Sequence, residues 1–540
     1  MRILIFHGYL LEGTGSNVYN ARLAATLAEL GHEVHLLCQD RHPERHAFLD
    51  ATGSWERGEL RVRALPRRRP ADARATLYRP DIGPLLPVYV ADRYEGIEAR
   101  TFADCSDAEV AAYVDANVAA VRDVLARARP QLALANHLVM GPAILARALE
   151  DVPYAVKVHG SALEYTVKPA PERFLGYASE GLGGARAVLV GSHHTAASLW
   201  QTIDDPALPR RTRLGPPGVD VERFAPRDRA RAGAGLRALA QRLEDRAHDR
   251  DPERGLAEPD PDAGDDAFAP EDAPAAAALG RIDSARDRLV AFVGKLIVSK
   301  GIDLLIAAWP LVLQEVPGAR LVVVGFGAYR DGLEELLRSL NAGDLAGARE
   351  IACAGRSREA PASADLPQSG RAPLRHLLAF FDSLHGAERA RYLMDARSLS
   401  ERVLLTGRLD HDQLSEILPA CEAVIVPSTF PEAFGMVAVE AAACGALPVS
   451  AAHSGLAEVA ETFAVAVPPA IAPLLTFPVD DGAVRALAER VVAWLRAEPA
   501  VRAHTQAALV ATVRERWSWA GVARGVIAAA SGELDALAEP

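Results

Sequence analysis

Short apolar runs recur along the chain, each closed by a glycine-bearing or polar stretch and followed by a segment with helical periodicity. The first is RILIF at 2–6. A loop carrying Gly8, Gly13 and Gly15 follows, then a helical pattern from about Asn17 to Leu30, then Gly31 as its stop and the next apolar run, EVHLLC. Strand, loop, helix and strand in that order predict a parallel pair joined by a crossover. The alternation repeats through LALANH at 132–137, a helix after Gly141, YAVKVH at 154–159, a helix around 172–183, and AVLVGS at 187–192 with a further helix behind it. A doubly wound α/β domain is expected, ending near PPGVD at 216–220.

From about 225 to 285 the pattern lapses. Arg, Asp, Ala and Pro crowd this stretch, which includes EPDPDAGDDAFAPEDAPAAAA. An arginine-rich helical piece and a disordered acidic insertion without chemistry are expected, because so little apolar surface cannot offset the entropy of ordering. Regular patterning resumes at RLVAFVGKL (288–296) and continues with strands at LVVVGFG (321–327), VLLTGRL (403–409), AVIVPS (423–428) and ALPVSA (446–451). The roughly 75 residues between the second and third of these exceed one crossover helix, so 341–400 is read as an insertion with a weakly structured part (SREAPASADLPQSGRAP) and a helical part (LRHLLAFFDSL). The predicted organisation is a Rossmann-like domain at 1–225, a charged insertion or linker at 226–287, and a second Rossmann-like domain at 288–515. A tail at 516–540 is expected to return to the first domain, with Trp517 and Trp519 as anchors.

Length and composition agree with two domains and a cleft between them. The chain has 540 residues, 50% hydrophobic and 24% charged, enough for two cores and unlike a disordered chain. A formal charge of −12 gives no general attraction to nucleic acid or anionic lipid, so any phosphate must be met at a focused site. The five cysteines (Cys38, Cys105, Cys353, Cys421, Cys444) are odd in number and lack paired spacing, which argues against a disulfide framework or a zinc site and for a reducing cytoplasm. No leader pattern and no apolar stretch of about 18–20 residues is present, so secretion and membrane spanning are not expected. Peripheral membrane contact stays open, as does the choice between monomer and homodimer.

Three segments carry candidate chemistry. Gly13, Gly15 and Ser16 precede the first helix, where backbone N–H groups can approach a phosphate. In FVGKLIVSKGID (292–303), Lys295 follows a strand end and Lys300 stands at the opening of a helix, two cations suited to a diphosphate. In PSTFPEAFGMVAVEAAACGALPVSA (427–451), Glu432 lies in a Pro- and Gly-punctuated loop. The amides of Phe434, Gly435 and Met436 lead into a helix, and Glu440 lies within that apolar helix. A carboxylate only accepts hydrogen bonds, which suits a neutral polyol such as a sugar or a ribose diol. A nicotinamide site would need G-x-G-x-x-G and an acidic ribose ligand; Asn17 and Val18 follow the second glycine, and Asp40 is the one weak candidate.

Glu432 and Glu440 within PEAFGMVAVEAAACG resemble the paired-glutamate motif of family 4 retaining glycosyltransferases. GTGSN, GHEVHLL, the His159–Gly160 pair, PPGVD, FVGK with SKG, and TGR resemble further segments of that family in the same order. The resemblance covers about 2–225 and 288–530. It implies the GT-B architecture, two doubly wound Rossmann-like α/β domains facing a cleft, and transfer of a sugar from a UDP-, GDP- or ADP-linked donor to an acceptor hydroxyl, with neither cofactor nor metal. It also implies roles: Gly15 in the glycine loop, Lys295 and Lys300 on the diphosphate, and Glu432 on the sugar. Phe434, Gly435 and Met436 would supply amides, Glu440 would hold the ribose, Gly407 and Arg408 would lie near the base, and His159 would face the transferred sugar. Lys295 departs from the arginine that many relatives carry, losing bidentate geometry. A nucleotide-sugar-binding protein of the same fold without transferase activity is the alternative.

Overall fold

The computed structural model of the chain describes residues 1–66, 74–90, 97–249, 271–359 and 372–540, which divide into two compact units. Met1–Gly218 and Trp517–Pro540 belong to the first; the second lies between Val219 and Arg516.

The first unit is built on a nine-stranded sheet in the order Thr212–Leu214, Ala187–Val190, Tyr154–Lys157, Leu132–Asn136, Arg2–Phe6, Glu33–Leu37, Arg74–Arg79, Ala51–Glu56, Glu59–Ala64. All pairings are parallel except the last. Its central strands are buried on both faces, as continuous apolar runs such as LALAN require. The antiparallel hairpin turns on Arg57 and Gly58, both with positive φ, a two-residue geometry normally signalled by Asn-Gly or Asp-Gly. With Arg in the first place the sequence gives no such signal. Residues 67–73 and 91–96, part of the stretch at 41–105 that resists reading from sequence, lie outside the described residues.

The helix Trp519–Ser531 packs on the helix Gly15–Glu29 and on the strands Leu132–Asn136 and Tyr154–Lys157. Trp519, Ala523, Val526 and Ala529 join Tyr19, Leu23 and Leu134 in one buried cluster. Ser518 caps this helix by accepting the Gly521 N–H at 3.2 Å.

In the second unit six parallel strands run in the order Val403–Gly407, Ala319–Val324, Arg288–Val293, Ala423–Val426, Leu447–Ala451, Thr476–Phe477. The chain enters this unit at Val219 rather than near 225, because Phe224 is buried against the ring of His411 (4.8 Å between centroids). Much of the stretch 226–287 is helical. Arg229–Asp249 buries Ala232, Leu236, Leu239 and Leu243, a helical stripe, against the helices Asp272–Gly280 and His411–Ile417. The expected disordered insertion falls mainly on 250–270, outside the described residues, as do residues 360–371 of the weakly structured part of 341–400. The rest of that second segment holds the helices Leu345–Ala354, Arg375–Ser383 and Gly386–Ala396.

Candidate functional site

Strand order in the second unit reverses between Arg288–Val293 and Ala423–Val426, the point at which loops of an open α/β sheet part and leave a crevice for ligands. The loops leaving these strands carry Lys295, Lys300 and Glu432. They touch because Gly301, at φ +65° between the turn Val298–Lys300 and the helix Ile302–Glu315, lies so near Pro427 that a Cβ would overlap its carbonyl oxygen. The Thr429 N–H donates to the Ser299 carbonyl at 2.9 Å. Across this junction the Lys300 ammonium pairs with the Glu432 carboxylate, which also accepts the Ser428 hydroxyl at 2.6 Å. Burial works against the Glu432 charge, but Lys300, Ser428 and His453 outweigh it and hold its carboxyl below the usual range. Ser454 fixes the loop by accepting the Glu432 N–H at 2.9 Å.

Lys295 lies on the same loop as Lys300 with its ammonium over the Phe326 ring, 6.0 Å from the centroid. Gly435, at φ +119°, caps the helix Met436–Ala443, so the Phe434, Gly435 and Met436 amides stand at its N-terminal end. Within that helix Glu440 is 4% exposed and bonded through Oε1 to Nε2 of His411 at 2.7 Å. The carboxylate has no proton to give, so Nε2–H donates. Gly407 ends the strand Val403–Gly407, and the Arg408 guanidinium pairs with Asp410 at 3.2 Å. The Arg408 N–H donates to the Glu271 carboxylate at 3.1 Å. Sequence reasoning missed His411, Ser428 and Glu271. Asp410 and Gln413 form a capping box that marks the helix His411–Ile417 in the sequence, but no local pattern says that His411 meets a glutamate 29 positions on.

In the first unit the strand order reverses around Arg2–Phe6. Gly15 opens the next helix with Thr14 as its N-cap, and Tyr19 of that helix stands edge-on to the His159 ring at 5.0 Å. His159 lies two residues beyond the strand Tyr154–Lys157. Asn136 Nδ2 donates to the Phe6 carbonyl at 3.1 Å, which turns its Oδ1 toward Nε2 of His159 at 2.8 Å. Nε2 therefore carries the proton, and Nδ1 keeps its lone pair. Burial, with His137, Lys157 and His7 nearby, pushes the His159 imidazole well below its ordinary range. His137, 5.0 Å from it by ring centroids, is likewise held neutral by burial. Lys157 donates to the Gly215 carbonyl at 2.7 Å, and burial pushes its ammonium down to about 7. His137 and Lys157 were also missed, since each reads as one polar residue in an apolar run.

Two Rossmann-like units, each with its chemistry at the strand reversal, define the GT-B class of glycosyltransferase folds. Residues 282–345 and 376–508 match the family described as glycosyl transferases group 1, and residues 14–202 match the glycosyl transferase 4-like domain. Together these span well over half of the chain, which belongs to the group 1 glycosyltransferases with a 4-like first domain.

Among solved structures the fold is similar to sucrose-phosphate synthase from Thermosynechococcus elongatus, with TM-score 0.56, 19% identity and 99% of each chain covered. It is also similar to Anabaena HepE in complex with UDP and glucose, with TM-score 0.54, 15% identity, and 99% of this chain and 100% of that one covered. A curated relative, the D-inositol 3-phosphate glycosyltransferase of Segniliparus rotundus, is 28% identical over 261 residues, 48% of this chain and 43% of that protein. An uncharacterized glycosyltransferase of Methanocaldococcus jannaschii is 26% identical over 173 residues, 32% of this chain and 29% of that protein. The chain thus spans less than half the length of these relatives.

Proposed function

We propose that the protein is a retaining, metal-independent glycosyltransferase of family 4, hexosyltransferase in type, moving a sugar from a nucleoside diphosphate donor to an acceptor hydroxyl. The observation that carries this reading is the Lys300–Glu432 pair at the strand reversal of the second unit, beside the N-terminal end of the helix Met436–Ala443.

Negative charge grows on the departing diphosphate as the anomeric carbon–oxygen bond breaks. Lys300, Lys295 and the amides of Phe434, Gly435 and Met436 meet that charge, stabilising the transition state more than the ground state and supplying cations without a divalent ion. Glu432 keeps lone pairs beyond those used by Lys300 and Ser428 and accepts from the sugar hydroxyls, Glu440 accepts from the ribose, and Gly407 with Arg408 borders the base. His159, neutral with Nδ1 open, accepts a sugar hydroxyl rather than donating a catalytic proton. The acceptor hydroxyl gives its proton to the leaving phosphate oxygen on the same face, which retains configuration. HepE was solved with UDP and glucose, in keeping with this reading. Among the described residues no helix is long and apolar enough to cross a membrane. From the odd number and unpaired spacing of its cysteines we place the enzyme in the reducing cytoplasm.

Incubating the protein with UDP-, GDP- and ADP-sugars tests the assignment. Release of free nucleoside diphosphate from one donor is expected, falling by about 100-fold or more in Glu432→Ala, the scale on which a polar group acting on the transition state contributes. Binding without turnover in any acceptor mixture would favour the alternative of a nucleotide-sugar-binding protein.

A further inference from the structure

The segment between the two units' regular patterns, from which no chemistry is expected on sequence grounds, delivers a carboxylate to the donor side of the second unit. Glu271 stands just before the helix Asp272–Gly280, which packs on the strand Val403–Gly407. One Glu271 oxygen accepts the Arg408 N–H at 3.1 Å, and the other pairs with Arg330, itself bonded to Glu334 at 2.9 Å. Gly407, at φ +73°, is so close that a Cβ would overlap the Glu271 carboxylate. The Glu271 side chain keeps 30% of its surface exposed, so it is held in place yet reachable.

A chain of contacts links Glu271 to the other donor-side groups. Lys300 and Glu432 lie at the strand reversal, and Glu440 lies deeper in the helix Met436–Ala443, bonded to His411. Three residues before His411 come Arg408 and then Gly407, with Glu271 on the Arg408 amide. With Glu440 on the ribose and Gly407 and Arg408 bordering the base, as proposed above, Glu271 stands at the base's edge of the site.

We infer that Glu271 reads the nucleobase of the donor and selects guanine; this rests on the donor site proposed above. A carboxylate only accepts, and each oxygen retains a lone pair after its bond to Arg330 or the Arg408 amide. Guanine presents two adjacent N–H donors, from N1 and the exocyclic amine, which match the two oxygens. Uracil offers a single N–H between two carbonyl oxygens that the carboxylate repels, and adenine sets its amine beside a ring nitrogen acceptor. A site built to bond N–H groups rejects a base that cannot supply them, because its polar atoms are then left unpaired.

Titration calorimetry of the full chain with GDP, UDP and ADP tests this. GDP is expected to bind at least about tenfold more tightly than the other two, the discrimination one bidentate base contact provides. Glu271→Gln, with one acceptor in place of two, is expected to cut that lead to below about threefold. Glu271→Ala is run beside it, and the unfolding midpoint of each ligand-free variant confirms that it folds. Equal or tighter binding of UDP or ADP by the unaltered chain would overturn the role of Glu271, as would a uniform gain for all three nucleotides in Glu271→Ala, which would make the carboxylate a mere obstruction. Binding of none of the three would overturn the donor site as well, so the two failures are distinct.

Discussion

Single buried ionisable groups set how this protein responds to pH. Burial outweighs the hydrogen bonds that His7 Nε2–H gives to Asn17 Oδ1 and the Leu10 carbonyl and pushes His7 down to about 4, from an ordinary value near 6.5, while His137 and His159 are also lowered. Below pH 6.5 the unfolded chain takes up protons that the folded imidazoles refuse, so their contribution is whole above that value and is lost as pH falls toward 4. For His7 alone the loss approaches about 3 kcal/mol at pH 4. Urea unfolding should show a midpoint that drops steadily from pH 7 to 5, with a shallower drop in His7→Gln; equal slopes would refute the assignment. Asp303 behaves oppositely. It is 3% exposed with Oδ1 unbonded among the described residues, and burial pushes its carboxyl up to about 7. Its contribution is complete below pH 3.8 and disappears as pH rises through 7. Asp303→Asn should therefore stabilise the protein at pH 8 by on the order of 2 kcal/mol and give no gain at pH 4, readable from denaturant midpoints at both values.

At the level of helices and strands, the Trp519–Ser531 helix is the clearest point of leverage. Trp519 fills a space between Tyr19 and Gly218, with its ring 5.6 Å from that of Tyr19. Trp519→Ala should cost about 3–5 kcal/mol, seen as an earlier loss of the first unit in chemical denaturation, whereas Trp519→Phe should recover most of it. The elements legible in the sequence were those whose cause is local. Apolar runs such as LALAN and AVIV, buried on both faces, announce parallel strands, and Gly31 and Gly301 mark where helices stop and start. The hairpin Ala51–Ala64 was not legible, because Arg57 takes a backbone conformation usually given to Asn or Gly. The candidate site divides in the same way. Lys300 and Glu432 could be singled out because each stands in a glycine- or proline-marked loop after a strand. Glu271 could not, since its place is set by the packing of Asp272–Gly280 on a strand more than 120 residues away.

Taken as a whole, the chain crosses from its first unit to its second at Gly218 and returns at Trp517. Nucleotide binding in the second unit should protect that unit from unfolding by roughly 2.7 kcal/mol at 100 times the dissociation constant, while the pH sensitivity of His7, His137 and His159 belongs to the first. Differential scanning calorimetry with and without GDP, at pH 7 and pH 5, should move two transitions independently; a single transition that responds to both would show the units to be tightly coupled.

The return at Trp517 has a consequence for how the protein is made. On the ribosome, the strands from Arg2 to Leu214 emerge hundreds of residues ahead of Trp519, and until that tryptophan appears the cluster of Tyr19, Leu23 and Leu134 lacks the part that Trp519, Ala523, Val526 and Ala529 supply. A chain cut before Trp517 would therefore leave that side of the first unit without the tryptophan helix while the second unit is complete.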